Sequence, residues 1–151
     1  MYHFLVITMS MREVNEIINR RQEEVDRIRE VGNLMIRLFE LYANQQPLTV
    51  EREGRRQHIP LVDAAGETVQ RLIESYRNAQ PLLNQRERET FEKVITQLTG
   101  TYILLSRAAE EYFRIRAEPD IQAANRYSRE RSGIERNLER TIPRYTGISL
   151  W

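Results

Sequence analysis

Between Phe91 and Tyr112 apolar side chains return at alternating spacings of four and three: Phe91, Ile95, Leu98, Tyr102, Leu105, Ala109 and Tyr112. That rhythm puts all seven on one stripe of an α-helix and cannot be met by a strand, whose side chains alternate every second residue. Val94, Ala108 and Ile115 widen the stripe, and Asn84 with Glu87 three residues later forms a capping pair at its start. The spacing predicts a helix over about 84–117. Gly100 inside it costs helix propensity and marks a point where it could kink. An amphipathic helix of this length must bury its stripe against other elements, and together with the segments that follow it leads to an all-α helical bundle as the expected fold class.

The other segments follow the same reading. Met11, Val14, Ile18, Val25, Ile28, Met35, Phe39 and Tyr42 keep a 3–4 alternation, interrupted by Arg21 and Gly32 at seam positions. Ser10 as N-cap with Glu13 would start one helix there, running over about 11–44. Its stripe is narrow up to Arg29 and almost all-round from Val31, through Leu34, Met35, Ile36, Leu38, Phe39 and Leu41. The front half is therefore expected to project from a body that encloses the back half. Residues 45–60 read as a loop or short hairpin turning at Gly54. A helix over 62–79 closes at Pro81, and a last one over 119–141, carried by Ile121, Tyr127, Ile134 and Leu138, ends at Pro143. The expected layout is an apolar N-terminal arm at 1–10, a single helical domain over 11–142, and an extended C-terminal tail at 143–151. A chain of 151 residues suits one domain.

Composition removes much chemistry. There is no Cys, which excludes thiolate catalysis and Cys-type zinc sites, and His3 and His58 alone do not make a histidine metal site. Phosphate-binding glycine loops, nucleophile elbows and zinc-protease helices are all missing. So is the Glu-x-x-His pair of di-iron bundles. The adjacent carboxylates Glu23–Glu24 and Glu110–Glu111 point ~100° apart on a helix, and are expected to be solvated. No catalytic group, metal or cofactor is expected. The apolar start lacks a basic region and a cleavage site, so an intracellular protein is expected, and no apolar run is long enough for a membrane span.

The charges balance at +1, but 22 of the 23 basic residues are Arg, with Lys93 the exception. Arg presents a planar fork of donors to carboxylate or phosphate. Local spacing pairs several of them: Arg12 and Arg20 with Glu16, Arg27 with Glu23, Arg126 with Glu130, and Arg131 with Glu135. Arg129, Gly133, Arg136 and Arg140 share one helical row, and the stretch from Ile121 to Trp151 carries six Arg against three Glu. That row is the best phosphate-facing candidate, with a weaker cluster at Arg52, Arg55 and Arg56. Tyr42, Tyr76, Tyr102 and Tyr112 lie on core stripes, whereas Tyr2, Tyr127 and Tyr145 are expected at interfaces.

Both ends are apolar, at Phe4–Ile7 and Ile148–Trp151. Together with the unpartnered front half-helix, they suggest assembly through Met11, Val14, Ile18, Val25, Ile28, Phe4, Leu150 and Trp151. Small size, absence of Cys, an N-terminal helical arm and a bundle give the chain a layout that resembles α-helical coat proteins of filamentous DNA viruses of archaea. The resemblance spans the chain in layout and rests on no diagnostic residue. It departs from that pattern in being less basic. It implies a virion location, arms that wrap DNA, and Arg20, Arg21, Arg27 and Arg29 as phosphate contacts beside Arg129, Arg136 and Arg140. The expected function is thus a self-assembling structural protein, a virion coat or nucleoprotein that contacts double-stranded DNA without reading sequence. Its partners would be itself or a paralogue, and DNA. The alternative is a soluble adaptor or regulatory bundle that binds a protein partner along the Met11–Arg29 seam.

Overall fold

The computed structural model describes residues 2–21, 25–43, 59–115 and 121–145, with side chains from Ile7 in the first stretch and from Asp26 in the second. Five α-helices account for them: α1 (Tyr2–Arg20), α2 (Val25–Ala43), α3 (Pro60–Ala79), α4 (Gln85–Ile115) and α5 (Ile121–Thr141), with a 3-10 turn at Gln80–Leu82. No strand occurs among the described residues. The expected hairpin lies outside them except for Ile59 and Pro60, and so do Leu150 and Trp151.

The segment expected as one helix over 11–44 is two. Helix α1 ends at Arg20, the Arg21 N–H donates to the Ile18 carbonyl at 3.1 Å, and α2 begins at Val25. A continuous helix would hold Ile18 and Gly32 ~21 Å apart. Instead Ile18 Cδ1 sits directly over Gly32, where a Cβ would collide with it. The chain therefore folds back, and the front half is packed and does not project. Helix α1 also begins at Tyr2, so residues 2–10 are its first half and not an arm. Ser10 is buried in mid-helix and caps nothing.

The helices form a closed ring in cross-section. Helix α1 lies beside α2, α2 beside α3, α3 beside α5, α5 beside α4, and α4 returns to α1 while touching α2 and α3 across the middle. Helices α3 and α5 run parallel, since Asp63 meets Arg126 near their starts and Arg77 meets Thr141 near their ends. The stripe read from the sequence is the inner face of α4: Phe91, Ile95, Leu98, Tyr102 and Ala109 are fully buried, and the helix passes unbroken through Gly100. Asn84 and Glu87 cap α4 reciprocally, each side chain accepting the other's N–H at 2.9 Å.

Large aromatic side chains fill the interior, and the polar ends of Tyr42, Tyr76 and Tyr127 are satisfied there. The Tyr42 hydroxyl donates to the Leu98 carbonyl at 3.0 Å, and the Tyr76 hydroxyl to Glu92 at 2.7 Å. The Tyr76 and Phe91 rings stack with centroids 6.3 Å apart, as do Phe113 and Tyr127 at 6.0 Å. Tyr127 and Tyr145, expected at interfaces, are core residues. Burying an aromatic or large aliphatic side chain stabilises by ~1.5–3 kcal/mol, which is why a thin stripe such as that of α5 still docks.

Ile18→Asp separates the packed seam from an intermolecular one. The substitution buries a carboxylate without a partner, so unfolding free energy falls by ~3 kcal/mol or more and the urea midpoint drops independently of protein concentration. A variant that keeps its midpoint but loses a dimer would show that Ile18 faces another molecule.

Candidate nucleic-acid interface

Helix α5 has two unlike faces. Inward, Ala123, Ala124, Tyr127, Ile134 and Leu138 are buried against α4 and α3. Outward, successive positions on one row are Gln122, Asn125, Arg129, Gly133, Arg136 and Arg140, all exposed except the half-buried Gly133. The row is ~27 Å long at helical rise. It holds amides, guanidinium groups and a glycine, and no carboxylate. Glu139 lies a quarter-turn to one side, and Glu135 is turned toward α4, 4.0 Å from Arg107. Among the described residues Arg129, Arg136 and Arg140 form no ion pair. Space above Gly133 is open, with nothing within 4 Å of where a Cβ would lie. A surface of three uncompensated guanidinium groups around a flat gap presents donors outward, as a phosphate-bearing ligand requires.

The first-helix arginines are distributed differently. Arg20 is exposed and its Nε donates to the Glu16 carbonyl at 3.4 Å. Arg21 is committed to the fold: its guanidinium donates to the Leu82 carbonyl and to Glu87, both at 2.8 Å. Arg21 thus bolts the end of α1 to the capped start of α4 and is withdrawn as a phosphate contact. Arg27 is exposed at the rim of a recess of about 310 Å³ that it shares with Glu30, Ser75 and Asn78. Arg29 is exposed on α2. The groups that Arg20, Arg21 and Arg27 meet lie on α1, α2, α3, α4 and the 3-10 turn, and none of them belongs to the α5 row. The assembly candidates Met11, Val14, Ile18 and Ile28 are all buried in the chain's own core, because α1 closes on α2. The side chains of Phe4 and Val25 lie outside the described residues.

Several charged residues meet partners that local spacing did not indicate. Arg126 pairs with Asp63 of α3 at 2.9 Å, and Arg131 with Glu110 of α4 at 2.8 Å. Glu110, expected in solvent, is 8% exposed and also holds Arg114 at 2.8 Å. Glu110 thus holds a cross-helix and an i,i+4 partner at once, a partly desolvated carboxylate interacting more strongly than a surface one. The Tyr127 hydroxyl accepts the Ile59 N–H at 3.2 Å and donates to Asp63 at 3.0 Å, while Ser106 donates to the Tyr127 carbonyl. Burial pushes the Tyr127 phenol up to about 12. Glu130 lies over Gly66 next to Tyr102, in a position that any Cβ at residue 66 would obstruct. Burial raises its pKa, opposed by Arg126 and reinforced by Asp63.

This polar junction fixes α5 against α3 and α4, and so holds the arginine row on a rigid backing. Among the described residues no group of three or more His, Asp or Glu is placed to hold a metal ion, and no helix is long and apolar enough to cross a membrane. No family model, curated protein or solved structure matches the chain.

Glu130→Gln tests the junction. A carboxylate whose folded pKa is raised costs stability above that pKa, and the cost fades as pH falls through it and vanishes below the ordinary carboxylate range. The variant is expected to melt at a higher temperature than the native chain at neutral pH, with the difference closing on acidification. An unchanged or lowered melting temperature at neutral pH would mean that the Glu130 charge is favourably held.

Proposed function

We propose that the protein is a non-enzymatic helical structural protein that binds double-stranded DNA through phosphate contacts, as a virion coat or nucleoprotein does. The observation that carries the reading is the outward row of α5, where Arg129, Arg136 and Arg140 stand free of carboxylates among the described residues. Phosphate contacts of this kind position a nucleic acid without reading its bases. The row contains no aromatic side chain on which unpaired bases could stack, which favours a duplex over a single strand.

Self-association belongs to this reading through surfaces other than the Met11–Ile28 seam, which the chain fills itself. The adaptor alternative needs that seam open to a partner, and its burial weighs against it.

The expected outcome is binding of random-sequence duplex with an affinity that falls steeply with salt and does not change when the sequence is scrambled. Replacing Arg129, Arg136 and Arg140 together by Gln should lower the slope of log affinity against log salt by about 2.7, since each phosphate contact contributes ~0.9. A flat salt response, or no binding at low salt, removes the nucleic-acid reading. Light-scattering mass with the 260/280 nm absorbance ratio on each peak tests the packaging part. Large salt-sensitive species carrying nucleic acid are expected, and a clean monomer or dimer at every salt concentration would exclude them.

A further inference from the structure

Arginines fixed across helices fall into two kinds. Arg21, Arg126 and Arg131 each spend their charge on a carboxylate: Glu87, Asp63 and Glu110. Arg77, on the last turn of α3, is held by a neutral acceptor, its guanidinium donating to Thr141 Oγ1 at 2.8 Å. Arg140, one residue before Thr141, is also held by a neutral acceptor, Asn137 Oδ1, at 2.7 Å. Neither forms an ion pair with a described residue. Such hydrogen bonds remove side-chain freedom while leaving the full charge and most of the donors available.

The two side chains are drawn toward the same seam. At ~100° per residue, Glu130 and Thr141 mark the flank of α5 that faces α3, and Asn137 lies between that flank and the outward row. Arg140, leaning on Asn137, is therefore pulled from the row toward α3, where Arg77 reaches over to Thr141. Two exposed like charges steered to one seam by neutral groups make that seam attractive to an anion. Glu74 and Glu139 are the exposed carboxylates nearest in sequence, and neither bonds to Arg77 or Arg140.

We propose that Arg77 and Arg140 form a clamp for one phosphate group at the C-terminal end of the α5 row. As a contact to duplex DNA it rests on the function proposed above, and as a phosphate site it can be judged without it. Arg77 then extends the binding surface from one helix onto two, and Thr141 is a positioning residue that aims it.

The test uses the full chain with random-sequence duplex and, separately, inorganic phosphate. Arg77→Gln is expected to weaken duplex binding about tenfold at low salt, as loss of one charge-assisted hydrogen bond would, and Arg77→Gln together with Arg140→Gln, which removes both arms from the shared phosphate, to lower the salt slope by about 0.9. Thr141→Val keeps every charge, so it should weaken binding several-fold with the slope unchanged, a signature that loss of the phosphate contact cannot give. If Arg77→Gln binds as the native chain does while the Arg129, Arg136 and Arg140 triple variant does not, the clamp is wrong and the row stands. If the native chain binds no duplex, phosphate decides. A rise in melting temperature that Arg77→Gln abolishes keeps the clamp as a phosphate site, and no rise removes it.

Discussion

Helix α1 is held at two points of different chemistry, one against α2 and one against the start of α4, and the ring of helices depends on both. Ile18 fills the space over Gly32, where the missing side chain lets the two backbones come close. Three residues on, Arg21 ties the end of α1 to the Leu82 carbonyl and to Glu87. Glu87 accepts that bond while also capping α4 through Asn84, so one carboxylate stabilises a helix start and a helix–helix junction together. With α1 folded down, α4 has neighbours on both sides and the stripe from Phe91 to Ala109 becomes an interior. Without that closure, Met11, Val14 and Ile28 would be an open apolar seam in search of another molecule.

That reversal was hidden from the sequence for a physical reason. Periodicity reports which residues share a face and is silent on whether the helix continues, and the 3–4 rhythm runs in phase from Ile18 to Val25. No Pro or Gly punctuates residues 20–25, and Arg21 at a seam position reads equally well as a snorkelling side chain. What gives Arg21 its meaning is Glu87, distant in sequence. By contrast the α4 stripe, its cap at Asn84 and Glu87, and the ends set by Pro81 and Pro143 were legible, because each is encoded within one or two turns. The arginine row on α5 was legible for the same reason. Arg77 was not, since its partner Thr141 comes from another helix. Glu110 was misread because burial is decided by what packs alongside, which spacing on its own helix does not reveal.

The nearly exclusive use of Arg acquires a rationale in the structure. Inside the bundle, planar guanidinium groups bridge helices: Arg21 spans a carbonyl and a carboxylate, and Glu110 accepts from both Arg131 and Arg114. A Lys could supply the charge but not two directed contacts in one plane. The same property serves the outer surface, where a fork held by a neutral oxygen keeps donors in reserve. Charge balance across the chain thus conceals a division of labour: arginines compensated by carboxylates hold the helices together, and arginines without them face out.

This division limits what the protein can do with a charged partner. Helix α5 is locked to α3 through the Asp63, Arg126 and Tyr127 junction and to α4 through Glu110 and Arg131. The backbone of its outer row is therefore fixed, and the ordering that a ligand would impose falls on the exposed arginine side chains. A rigid row of Arg with no aromatic side chain and no apolar cleft suits a repeating anion of fixed spacing better than a small molecule that must be enclosed. Selectivity for a base sequence would require side chains that reach groove edges, and the row's short members, Asn125 and Gly133, leave the arginines as its tallest features. Under the proposed function, such a surface makes backbone contact without readout.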